Sequence, residues 1–268
     1  MRKLLAANGK LPAGVMALLV LLLPVLAEAS PREALTPGPS ARVVEVVDGD
    51  TVRLEDGSQV RLVGLQAPKL PLGRRNFPTW PLAEESKRAL EEMVQGRIVE
   101  LRHGGAPKDR HGRHLAHLFR EDGLWVQGEM LRQGMARVYT FPDNRSVVPE
   151  MLAREAEARA ARRGIWGHDF YAVRSPDGLD GLIDSYQLVE GRVVEATRVG
   201  NQVFLNFSKD WRGEFSLRLD RAALALFRQA GIDPLALQGR EIRVRGWLKS
   251  HNGPRIEVSH PEQIEILS

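Results

Sequence analysis

The chain has 268 residues, 43% hydrophobic and 27% charged, with no cysteine and a formal net charge of +4. These fractions are those of an ordinary globular protein, and the length suits one large domain or two small ones. The missing cysteine excludes disulfide scaffolds, thiol catalysis, a lipidated cysteine anchor and any cysteine-ligated zinc or iron–sulfur site.

Residues 1–29 run from a basic start through an apolar stretch at 13–27 to Ala27-Glu28-Ala29. That is the layout of a cleaved secretory signal peptide. An uncleaved anchor needs about 20 apolar residues, and this run is shorter and interrupted by Pro24. The expectation is an exported protein, periplasmic or secreted. These 29 residues hold Arg2, Lys3 and Lys10 against Glu28, so the rest carries 35 basic and 33 acidic residues, a net of +2. Anion binding must then come from local basic patches rather than a global field.

Residues 30–40 are Pro-rich without apolar period and read as a linker. Three β-rich runs follow at 42–47, 51–55 and 59–65, parted by Asp48-Gly49-Asp50 and Asp56-Gly57. Asp-Gly between such runs marks a hairpin, because Gly accepts the positive φ of a tight turn. Residues 82–94 read as a helix with Leu82, Ala89, Leu90, Met93 and Val94 apolar. Strands are expected at 97–101 and 113–119, a helix at 125–133 closed by Gly134, and a strand at 138–141. The Ala/Glu/Arg-rich stretch 151–163, after Pro149 and before Gly164, favours helix. The Asp/Gly/Ser-rich segment 169–185 marks a domain boundary.

Beyond it, strands are expected at 187–196, 202–208 and 214–220, a helix at 221–231, and strands at 241–248 and 255–258 around Asn252-Gly253. A helix after the third of five strands is the plan of a small Greek-key barrel of the OB type. The expected fold is therefore mainly β with helices: one OB-type barrel over 41–170, a linker at 171–185, and a second small OB-like barrel over 186–268. Along 239–247, arginines alternate with Ile242 and Val244 before Trp247. This reads either as a basic face suited to nucleic acid or as the normal solvent side of a half-exposed strand.

Seven short fragments of the first half, in order, resemble the staphylococcal nuclease (thermonuclease) family. The first is Val47-Asp48-Gly49-Asp50-Thr51-Val52, followed by Val60-Arg61-Leu62-Val63 and Ala67-Pro68. Asp109-Arg110-His111-Gly112-Arg113-His114-Leu115-Ala116 and Leu131-Arg132-Gln133-Gly134-Met135-Ala136-Arg137-Val138 come next. Ala156-Glu157-Ala158-Arg159 and Gly164-Ile165-Trp166 complete the set. The resemblance covers about residues 41–170. It implies cleavage of DNA and RNA phosphodiesters with one Ca²⁺, a carboxylate base and two arginines. Metal and guanidinium forks neutralise the charge that builds on the phosphate, and the base takes a proton from water.

Position by position, the resemblance places the arginines at Arg61 and Arg113, the first metal carboxylate at Asp50 and a metal-binding backbone carbonyl at Ala67. Two positions depart from it. Gln66 stands at the second metal carboxylate and Lys69 at the general base, which raises the charge of the site by three. Calcium prefers several anionic oxygens, and loss of a general base lowers rates by about 10²–10⁴. Asp48 reads as a substitute oxygen ligand or as a plain turn residue. Lys69 reads as a phosphate-binding cation or as a solvated loop residue.

His111, His114 and His117 suggest zinc, yet on a strand His114 and His117 face opposite ways and a zinc shell needs converging ligands. The loop 69–81 holds Arg74, Arg75, Phe77 and Trp80, which suits either a clamp on a single strand or a rigid lid packed on the barrel. Tyr139 and Phe141 share a face and suit either base stacking or core packing. The leading expectation is an exported thermonuclease-family protein that acts on or binds single-stranded DNA or RNA, with catalysis weakened at Gln66 and Lys69. The competing one is a non-catalytic module on the nuclease fold that binds nucleic acid or protein.

Overall fold

Strands of alternating apolar and polar residues in the first half close on themselves. In the computed structural model, which describes residues 30–209 and 213–267, this half runs β1 (Thr36–Asp48), β2 (Thr51–Leu54), β3 (Gln59–Leu62), β4 (Leu65–Gln66) and α1 (Ala83–Val94). It continues through β5 (Ile98–His103), β6 (His114–Arg120), α2 (Val126–Arg132), β7 (Arg137–Val138) and α3 (Val148–Ala160). Five strands form a closed barrel in the order β1-β2-β3-β6-β5, antiparallel throughout except for the β3–β6 pair. Val43, Val52, Leu54, Val60, Leu62, Val99, Leu101 and Leu118 fill the core, and α1 adds Leu90 and Val94. The expected signal peptide at 1–29 lies outside the described residues.

Three local expectations are corrected. Residues 36–40 are not linker: β1 begins at Thr36, which pairs with His103, and Leu35 is buried. The ladder tolerates the prolines because its register shifts between Pro37 and Ser40, at the point where proline has no N–H to offer. The strand expected at 138–141 shortens to Arg137–Val138, paired with β4, because the chain turns back at Phe141–Asn144 beside Pro142. Helix α3 starts at Val148, so Pro149 lies inside its first turn, where a missing N–H does no harm.

Gly134 does more than close α2. It has φ +69°, and a Cβ there would sit 2.2 Å from the Arg163 carbonyl oxygen. The ends of α2 and α3 therefore meet backbone to backbone, and the Ile165 N–H donates to the Gly134 carbonyl at 2.8 Å.

The second half repeats the plan. It comprises β8 (Tyr186–Arg192), β9 (Glu195–Val199), β10 (Gln202–Asn206), β11 (Ser216–Leu219), α4 (Arg221–Gln229), β12 (Glu241–Ser250), β13 (Pro254–Val258) and β14 (Ile264–Ile266). Strands β9-β10-β11-β13-β12 are neighbours in that order, β8 pairs with β12, and β11 and β13 run parallel. Only Val193 and Val194 separate β8 from β9, so the order of neighbours matches that of the first barrel, again with a helix after the third strand. Asp220 caps α4 by accepting from the Ala223 N–H at 2.9 Å.

The segment expected as a linker at 171–185 is built into the structure. Arg174 exchanges backbone hydrogen bonds with Leu188 and Glu190, and Leu179 is buried in the second core. Its Asp, Gly and Ser residues make short turns rather than a free connector. A third apolar cluster joins the halves: Ala158, Ile165, Trp166 and Tyr171 pack with Tyr186 and Leu188. Beneath it Arg245, fully buried, holds Glu155 at 2.9 Å and also binds Glu265.

Candidate functional site

The Asp48-Gly49-Asp50 turn between β1 and β2 packs against the segment after β4 and against α1. A Cβ on Gly49 would come within 2.1 Å of Ser86 Oγ and 2.7 Å of the Ala67 Cβ, so this approach admits glycine alone. Asp48 Oδ1 accepts from the Asp50 N–H at 3.1 Å, and this Asx bond fixes the turn.

The turn aims the Asp50 carboxylate inward, where it is fully buried. Its Oδ2 accepts from Lys69 Nζ at 2.6 Å and from the Ala67 N–H at 2.8 Å, and its Oδ1 lies 2.9 Å from Arg61 Nη1. Burial works to raise its pKa, but Arg61 and Lys69 outweigh burial and pull it down to about 2. Asp48 moves the other way, raised first by burial and then by the Asp50 charge. Arg61, from β3, also donates to the carbonyls of Asp50, Leu62 and Leu65, so its guanidinium is locked in place. Lys69 keeps 19% of its side chain exposed and is the edge of the cluster that faces solvent.

The other residues from the sequence reading have partners of their own. Gln66 is buried, but its Oε1 accepts both Nε and Nη2 of Arg137, at 3.0 and 2.7 Å. Arg137 is buried too, with its guanidinium 4.7 Å from the Tyr186 ring and within 6 Å of Tyr171 and Trp80. Ala67 offers Asp50 its N–H. Arg113, just before β6, is clasped by Asp109 at 2.7 Å through both Nε and Nη2. Arg74 bends back onto the Leu70 and Pro71 carbonyls and lies 3.6 Å over Phe77, while Phe77, Trp80 and Phe170 form an aromatic pile. The loop therefore has the built-in packing of a lid, with Arg75 left exposed on it. Tyr139 sits at the seam between the barrels, against Tyr186 at 4.8 Å, and its hydroxyl accepts from Trp247 Nε1.

His117 is buried, with Nδ1 accepting from Trp125 Nε1 at 3.3 Å. Burial and then the nearby His103 push its pKa down to about 3, so it is neutral. The alternating arginines at 239–247 do not form a free basic face. Arg245 is fully buried against Glu155 and Glu265, and Arg243 binds Glu190 and Glu265. Both sides of β12 are covered there because α3 of the first barrel packs against its outer side. Sequence reasoning missed Arg137, Glu155 and Arg245. Glu155 looked like one more charge on an Ala/Glu/Arg-rich helix, and no local pattern distinguishes it from Glu157.

Comparison with known proteins gives a consistent picture. Residues 59–168 match the family model described as staphylococcal nuclease homologue, and the second barrel lies beyond that stretch. An Escherichia coli protein named "Uncharacterized endonuclease" is 32% identical over 128 residues, which cover 47% of this chain and 75% of that protein. The thermonuclease of Staphylococcus intermedius is 27% identical over 132 residues, covering 48% of this chain and 77% of its own. An uncharacterized Bacillus anthracis protein is 32% identical over 130 residues, and there the match spans 59% of the relative's length.

Proposed function

The chain belongs to the staphylococcal nuclease family, and from that premise we propose that its first barrel binds nucleic-acid phosphodiesters through side-chain cations, with little hydrolysis. The observation that carries this reading is the Lys69–Asp50 contact at 2.6 Å.

The family is usually calcium-dependent, and the residues present do not fit that ion. Calcium takes 6–8 oxygen ligands, several of them anionic. Here Asp50 already accepts from Lys69, Arg61 and Ala67, the Gln66 amide oxygen is taken by Arg137, and an ammonium occupies the edge of the cluster. Among the described residues no three His, Asp or Glu side chains converge as a metal group. An ammonium also has no lone pair with which to accept a proton from water, so the general-base position is filled by a group unable to do that work.

What the cluster offers instead is preorganised positive charge. Asp50 holds Lys69 and Arg61 in fixed positions, and Lys69 meets solvent, where a phosphate oxygen can share its remaining donors. Single-stranded DNA or RNA is the substrate class that the family membership favours. Export rests on the basic–apolar–Ala27-Glu28-Ala29 order, and N-terminal sequencing of protein from its native host should begin near Ser30; an intact Met1 on a cytoplasmic product refutes it.

The decisive experiment is a calcium titration with a labelled single strand, read for both binding and cleavage. Binding should persist in chelator and weaken as salt rises, with a log–log slope of about −0.7 per neutralised phosphate. Gln66→Asp and Lys69→Glu together should raise calcium-dependent cleavage more than either alone, because metal and base act as a unit. Robust calcium-dependent cleavage by the unmodified protein overturns the reading.

A further inference from the structure

One outer face of the second barrel, bounded at the seam by Trp247 where its Nε1 donates to the Tyr139 hydroxyl, carries aromatic and basic side chains in an order set by strand pairing. One row across the sheet is Lys249–Arg255–Ser216–Asn206, each residue paired with the next. The adjoining row is Glu257–Arg218–Phe204–Thr197. Trp247, two residues before Lys249, shares this outward side, since the intervening Leu248 points into the core. Ile256, Leu217, Val203 and Leu205 alternate with the outward residues and are buried, so the pattern is a true two-sided sheet.

The two rings stand on strands three steps apart, about 14 Å at the usual strand spacing. Each has a cation beside it: Arg255 Cζ lies 5.5 Å from the Phe204 centroid, and Lys249 Nζ lies 5.9 Å from Trp247. Arg218 pairs with Glu257 at 2.8 Å and Lys249 with Asp184 at 2.7 Å, both in exposed positions where water and salt loosen such pairs. Among the described residues Arg255 makes no ion pair; its Nε donates to Ser216 Oγ at 3.3 Å.

We propose that this face is a second nucleic-acid site that takes a single strand, with bases stacking on Phe204 and Trp247 and phosphates meeting Arg255, Lys249 and Arg218. Alternation of ring and cation suits a polymer that alternates base and phosphate. A neutral oligosaccharide uses the rings and has no call on three cations. The face spans four strands, and two of them, β10 with Phe204 and β11 with Arg218, are the second and third strands that OB-type barrels use for oligomeric ligands. The site shares no residue with the Asp50 cluster and does not depend on what that cluster binds.

The test is fluorescence anisotropy of the whole protein with a labelled oligothymidylate about 15 nucleotides long, near the upper site size of one OB-type barrel. Phe204→Leu and the pair Arg255→Gln with Lys249→Gln should each weaken binding about tenfold, within the usual range for a lost stack. The double cation variant should also flatten the salt slope by about 1.4. Arg255→Lys should recover part of the loss. Thermal melts identify a variant that fails to fold, and Arg255→Gln, a surface change, carries the test if Phe204→Leu does so. Affinity within twofold of the unmodified protein in all variants overturns the proposal. So does binding of cellohexaose that Phe204→Leu abolishes, with no binding of the oligothymidylate. Lys69→Gln separates the two sites: loss with Lys69→Gln but not with the second-barrel variants supports the first cluster alone, and the reverse pattern supports this face alone.

Discussion

Arg245→Met removes the cation at the seam between the barrels. Arg245 is fully buried and donates to both oxygens of Glu155, at 2.9 and 3.0 Å, and to Glu265. Burial works against its charge, and Glu155 and Glu265 outweigh burial, so it holds its proton more tightly than a free arginine. Stripping one partner from a buried pair costs about 3–5 kcal/mol. The lower end applies, because Glu155 keeps Arg159 at 2.8 Å and the Val138 N–H at 2.6 Å, and Glu265 keeps Arg159 and Arg243. Unfolding entropy for about 240 residues is about 0.5 kcal/mol/K, so a loss of about 3 kcal/mol lowers Tm by about 6 °C. Differential scanning calorimetry at neutral pH reads this directly. Adding Glu155→Gln, which keeps an acceptor for Val138 while removing a buried charge left with Arg159 as its one cation, should recover about half the loss. A shift under about 2 °C for Arg245→Met, or a double variant less stable than the single, refutes the reasoning.

Two further predictions concern stability. Burial lowers His117 to about 3 and His260 to about 4, both below the ordinary histidine value of 6.5. The unfolded chain therefore takes up protons first, and stability falls as pH drops below about 6.5, by about 1.4 kcal/mol per unit and per histidine until each folded pKa is reached. Urea unfolding at pH 7 and pH 5 should show this loss, and it should roughly halve in His117→Gln; equal stability at the two pH values counts against burial of both rings in neutral form. Gly134→Ala should destabilise by about 2 kcal/mol or more through its positive φ and its clash with Arg163, and a melt unchanged from the original would show that α2 and α3 do not meet there.

The core was the most legible part of the molecule, because a closed barrel repeats the period-two pattern that strands such as β2 and β10 display in sequence. Asp48-Gly49-Asp50 marked its turn for a local reason that the structure retains. Pro37 and Pro39 misled for the opposite reason: they read as linker, while a shift in register lets a ladder pass them. The seam was illegible. Arg243 and Arg245 alternate with Ile242 and Val244 as a solvent-facing row does, and nothing within one strand tells whether water or a second barrel lies opposite. The placement of Gln66 had the same limit, since its partner Arg137 is 71 residues away. Motif alignment located Asp50, Arg61 and Lys69 in one neighbourhood, but the direction each side chain takes depends on contacts that spacing does not encode.

The order in which the chain leaves the ribosome gives the buried seam a timing. Glu155 belongs to the first barrel, whereas its partner Arg245 follows 90 residues later and Glu265 lies later still, on β14. At synthesis rates of roughly 5–20 residues per second, several seconds pass between them. Throughout that interval Glu155 has only its partners within the first barrel, Arg159 and the Val138 N–H, and the first barrel must keep open the flank on which β12 will settle. A product cut short before β14 would lack Glu265, leaving Arg245 with Glu155 alone and Arg159 facing an empty place. Loss of β14 is thus felt in the first barrel, on a helix whose Arg159 relies on Glu265 for one of its two carboxylates.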